Sequence, residues 1–125
     1  MISQKYGTSR EILMNFAEAL TVSATVNAPA ATVNDYNRKI LKAGTPVGAD
    51  KPFYLDANNV TLVPITDATA SNGQAVIMHD VDITDGPAPV TVIRRGDVVL
   101  GNMDDDVQKL YTDAVKNALT HITLV

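Results

Sequence analysis

From Arg38 onward, short β-branched apolar runs alternate with clusters of turn-forming residues, a pattern that predicts strands of one compact body. Arg38 to Leu41 (RKIL) predicts a strand, Ala43 to Gly48 (AGTPVG) a turn, and Lys51 to Leu55 a further extended run. Asp56 to Asn59 predicts a turn, since Asp and Asn hydrogen-bond their own backbone, and Val60 to Ile65 a strand that Pro64 confines to an edge or a strand end. After a turn at Ser71-Asn72-Gly73, the alternation in Ala75 to Ile83 sets Ala75, Ile77, His79, Val81 and Ile83 on a core face. Val76, Met78, Asp80 and Asp82 then fall on the outer face. Asp85-Gly86-Pro87-Ala88-Pro89 predicts a corner, because its prolines remove ladder donors. Val90 to Leu100 resumes strand character, with a bend at Arg95-Gly96-Asp97.

Two stretches carry a helical period instead. Val107, Leu110, Tyr111, Ala114, Val115, Ala118 and Leu119 recur at i, i+3, i+4 spacing, predicting one helix from Asp105 to about Leu119 with Asp104, Asp105 and Asp106 at its N-terminus. His121 to Val125 predicts a closing strand. Near the front, Thr8 and Glu11 fit a capping box, and Ile12, Leu13, Phe16, Ala17 and Leu20 keep helical spacing, so a short helix near 9–20 is expected. That apolar stripe has two readings, packing on its own body or burial against a partner. Thr21 to Val26 predicts an extended piece and Asn27 to Tyr36 a loop, so the domain division is an N-terminal arm over 1–37 and a β-rich body over 38–125.

Composition narrows the class. The 125 residues suit one domain; 46% are hydrophobic, 5% aromatic and none Trp, so Val, Ile, Leu and Ala must build the core. The absence of Cys excludes disulfides, thiolate metal sites and thiol nucleophiles. The charged start is unlike a signal peptide and no run reaches the ~18 apolar residues of a membrane span, so folding in the cytoplasm, without a membrane partner, is expected. The net charge of -4 is uneven: residues 1–59 carry +1 and residues 60–125 carry -5. An acidic body argues against a nucleic-acid partner, which demands a basic face.

Candidate chemistry is thin. Asp80, Asp82 and Asp85 before Gly86 invite a calcium loop, but the third acid and the Gly each come one place late and no Glu follows, so solvated aspartates and no metal site are expected. His79 and His121 lie 42 residues apart without a triad or zinc spacing. Arg95-Gly96-Asp97 spells the triplet read by integrins, yet β-branched runs flank it on both sides, as a strand bend requires. No catalytic residue or cofactor is therefore expected, and the chain reads as a non-enzyme.

The ordered set AGTPVG, GQAV, HDVDITDGPAP, a strand reaching a Gly-x-Val segment, and ALTHITLV resembles the head decoration (capsid cementing) proteins of tailed bacteriophages, of the lambda type, over roughly Arg38 to Val125. The resemblance implies a mainly β fold with one C-terminal-region helix (α+β), a β-tulip body with an N-terminal arm. It further implies a homotrimer at local three-fold positions outside the capsid, with the major capsid protein as partner and the virion exterior as location. The arm would clamp neighbouring coat subunits, and Tyr6, Ile12, Leu13 and Phe16 enter as its members. The alternative is a β-rich head-fibre or adhesion and receptor-binding module, with Arg95-Gly96-Asp97 or the Asp85 to Pro89 corner at a tip.

Overall fold

A computed structural model describes residues 12–14, 19–28, 36–53 and 60–125. Its described residues form nine strands and two short helices, so the chain is mainly β. The strands are β1 (Leu13–Met14), β2 (Leu20–Val26), β3 (Ile40–Leu41), β4 (Pro46–Gly48), β5 (Thr61–Pro64), β6 (Gly73–Ile77), β7 (Val81–Asp82), β8 (Ala88–Val98) and β9 (Ile122–Leu124). The helices are α1 (Asp105–Gln108) and α2 (Asp113–Ala118).

Five strands close a barrel in the order β8, β2, β5, β4, β6 and back to β8. Only the β2–β5 contact is parallel; the other four are antiparallel. Closure leaves these five strands without a free edge inside the ring. β8 is long enough, at 11 residues, to serve two purposes. Its first part belongs to the barrel, and Gly96–Val98 continues beyond it between β1 (antiparallel) and β9 (parallel). β3 and β7 pair separately as a small antiparallel ribbon.

Alternation along the barrel strands directs Ala24, Val26, Val47, Leu62, Ala75, Ile77 and Val92 into one buried cluster, the barrel interior. Val76 and Ile93 point the opposite way and are buried equally, beneath Met103, Val107, Tyr111, Val115 and Leu119 of the helical segment and beside Ile12 and Leu13. Ala75, Val76 and Ile77 are thus all fully buried, so the outer face expected for Val76 is a second core face. A strand covered on both sides loses its sequence alternation. The run Ala75 to Ile83 also does not stay one strand. Asp80 Oδ1 accepts the Ala43 N–H at 2.7 Å, a side chain standing where a ladder carbonyl would, and β6 ends at Ile77. His79 is exposed rather than in the core.

The expected turn at AGTPVG is a turn only at Ala43-Gly44; Pro46–Gly48 is a buried barrel strand. Gly48 is required there, since a Cβ at that position would lie 1.8 Å from the Asn72 carbonyl oxygen. Likewise Ala88 and Pro89 already belong to β8, opposite Val26 and Thr25. The single helix expected over 105–119 is broken at Lys109 to Thr112. Thr112 is extended (φ -73, ψ 170) and its hydroxyl accepts the Val115 N–H at 3.4 Å, the geometry of a new N-cap. The same hydroxyl donates to the Asp67 carboxylate, and the buried Tyr111 hydroxyl donates to the Gly44 carbonyl.

The helix expected near 9–20 is overturned at the described positions, where Leu13–Met14 is a strand and Leu20 opens another. Isolated short helices are marginal, and the ladder on β8 offers hydrogen bonds with core burial instead. Nor does the 37/38 division fall at a break in the fold, because β2 pairs with β8 and β5 inside the barrel. The run Asp56 to Asn59 lies outside the described residues.

Candidate functional site

Of the four residues assigned to a contacting arm, Tyr6 and Phe16 lie outside the described residues. Ile12 and Leu13 are 1% and 8% exposed and belong to the core under the helices. The Val99 N–H donates to the Ile12 carbonyl at 2.7 Å, extending the β1–β8 ladder by one bond. Of the two readings of the front stripe, packing on the chain's own body is the one these two residues adopt.

Arg95-Gly96-Asp97 sits inside β8, not at a tip. Gly96 has φ +151, and the β2–β8 register jumps from Leu20 opposite Arg95 to Thr21 opposite Ile93, so the strand bulges at Arg94. Beyond the bulge Asp97 faces Met14 on one side and Thr123 on the other. Integrin-type recognition requires a protruding loop, and a triplet paired on both edges lacks that shape.

The aspartates before Gly86 do not converge. Asp80 is spent on Ala43, whereas Asp82 accepts from the Thr84 N–H and hydroxyl through Oδ1 and from Arg38 through Oδ2. These bonds, those from Thr84 foremost, pull the Asp82 carboxyl down to about 2. No group of three or more metal-ligating side chains occurs among the described residues. Lys42 bridges Asp104 at 3.0 Å and Asp106 at 3.3 Å, tying the turn after β3 to the start of α1; the Asp104 hydrogen bond raises its ammonium above the ordinary lysine range. The Tyr111 phenol is pushed far upward by burial, as a structural donor in a core would be.

One arrangement was invisible in the sequence. β6 and β9 leave a gap along β8 at the bulge, a depression of about 130 Å³ lined by Gln74, Arg94, Leu119, Thr120 and His121 among others. Gln74 is oriented away from chemistry, its amide donating to the Ala49 and Lys51 carbonyls and accepting the Phe53 N–H. Arg94 and His121 both line the depression, in the acidic part of the chain. The adjacent Arg94-Arg95 pair is the one signal in the sequence that marks this spot, since residues 60–125 otherwise hold only Lys109 and Lys116 as cations. No family model matches the chain, and no curated protein does either.

Proposed function

We propose that the protein is a virion structural protein that binds the outside of a phage capsid at local three-fold positions and stabilises the shell, acting as a homotrimer of β-tulip-like bodies. The observation that carries this reading is where the resembling segments fall. AGTPVG supplies the turn before β4 and β4 itself, GQAV supplies β6, HDVDITDGPAP supplies β7 and the corner, and ALTHITLV supplies the end of α2 and β9. That the resembling segments coincide with described elements is what supports the reading.

The physics of cementing suits such a body. A protein that binds the assembled shell and not its separated subunits stabilises the shell by linkage, in proportion to its occupancy. A closed barrel with both faces buried at Ala75–Ile77 of β6 and at Val92–Ile93 of β8 supplies rigidity at the contact, and repeated contacts about a symmetry axis supply the multiplicity.

Two measurements test the proposal. Analytical ultracentrifugation of the purified chain should give a trimer, at the latest when shells are present, and the chain should cosediment with expanded, undecorated heads of the phage that encodes it. A monomer that stays in the supernatant at every head concentration would refute the reading.

A further inference from the structure

One side chain holds the segment that follows β4. Past Gly48, which pairs with Gly73, the chain leaves the sheet, and Asp50, Lys51 and Pro52 are exposed. The Gln74 amide crosses from β6 to this segment. Its nitrogen donates to the Ala49 carbonyl at 3.0 Å and to the Lys51 carbonyl at 2.8 Å, and its oxygen accepts the Phe53 N–H at 2.9 Å. Both donors and the acceptor are thereby committed to the backbone of residues 49, 51 and 53, much as a neighbouring strand would commit its own backbone. The Ala49 N–H adds a bond to the Asn72 carbonyl at 3.2 Å. At the end of the segment Phe53, 1% exposed, belongs to the barrel interior with Val47, Leu62 and Ala75. We infer that residues 49–53 form a latched plug, with Gln74 as the latch and Phe53 as the plug, whose release opens the barrel interior while the five strands stay paired.

The segment and the barrel are held by different means, which is what allows one to move without the other. Backbone ladders close the barrel, and in β4 they end at Gly48. A depression of about 240 Å³ is shared between Ala49–Pro52 and Ser71, Asn72 and Gln74, so the exposed part of the segment stands off from the body. Parts of a fold with few buried contacts open at lower free energy than core strands do. The latch also depends on the chemistry of the amide. A carboxylate of the same length could accept from Phe53 but would turn its charge on two carbonyls, and an alkyl chain could neither donate nor accept.

Native-state hydrogen exchange on the intact chain tests the inference. In wild type the Ala49 and Phe53 amides should exchange through one shared opening, at least about tenfold more often than the Ile77 and Met78 amides, which are bonded to Thr45 and Thr91. Gln74→Met and Gln74→Glu should each lower protection at Phe53 by about tenfold or more and leave Ile77 and Met78 as in wild type. The chain has no Cys, so Val47→Cys places a single thiol in the barrel interior. Its labelling by a small thiol reagent under native conditions should quicken about tenfold when Gln74→Met is added. Exchange of Ala49 and Phe53 only at the rate of global unfolding would overturn the inference on the wild-type chain alone, whether or not the variants fold. Equal loss of protection at Phe53 and Ile77 in both variants would make the segment part of the barrel's own cooperative unit and overturn it as well. Faster exchange at Phe53 without faster thiol labelling would show that the ring stays in place, and the plug would be refuted.

Discussion

Two polar contacts set what single side chains contribute here. The Tyr111 hydroxyl donates to the Gly44 carbonyl from a buried position, and Gly44 is itself buried in the turn before β4. Tyr111→Phe keeps the ring but strands that carbonyl, so urea denaturation should show a loss of about 1–3 kcal/mol; a loss within error would mean water satisfies the carbonyl instead. Asp82 acts at the surface and through pH. Its folded carboxyl lies lowered from 3.8 to about 2, so its contribution is fully present above 3.8 and disappears as pH falls through about 2. Because the group is exposed, the effect is small and salt-sensitive. Thermal midpoints followed downward from pH 5 should fall more steeply for wild type than for Asp82→Asn, and parallel curves would show that Arg38 and Thr84 contribute nothing through this residue.

At the scale of elements, the sequence reveals period but not interruption. The apolar residues Val107, Tyr111, Val115 and Leu119 do share one buried face, as their spacing requires. What splits α1 from α2 comes from afar, through Asp67 at the Thr112 hydroxyl and Gly44 at the Tyr111 hydroxyl, partners 45 and 67 residues away. The β6–β7 break has the same origin, in Asp80 reaching Ala43 across 37 residues. Strand existence was legible through most of 38–125, because β-branched runs and turn residues act locally. The candidate site was not: a gap between β6 and β9 is created by where strands end, and only Arg94-Arg95 hints at it. β1 was misread because two residues have no period. Its burial nonetheless has a measurable consequence, for Ile12→Ala should cost about 2–5 kcal/mol in chemical denaturation. A stripe serving only a partner would instead leave the stability of the free chain unchanged.

For the whole molecule, β8 is the spine to which β1, β2, β6 and β9 all pair. It joins the barrel to the small sheet with β1 and β9, so these two strands meet on opposite edges of the same two residues, Asp97 and Val98. Ile12 and Leu13 are held in that ladder and in the core, so a contacting arm cannot rely on them. This separates two truncations that a reading of the chain as arm plus body would treat alike. Removing residues 1–11 should leave the thermal midpoint near that of wild type and abolish cosedimentation with expanded heads. Removing residues 1–20 strips Ile12 and Leu13 from the core and Leu20 from the barrel, and should lower the midpoint or prevent folding outright. Equal stability of the two truncations would mean that β1 contributes nothing to the body. Undiminished head binding by the shorter truncation would place the contact on the body itself.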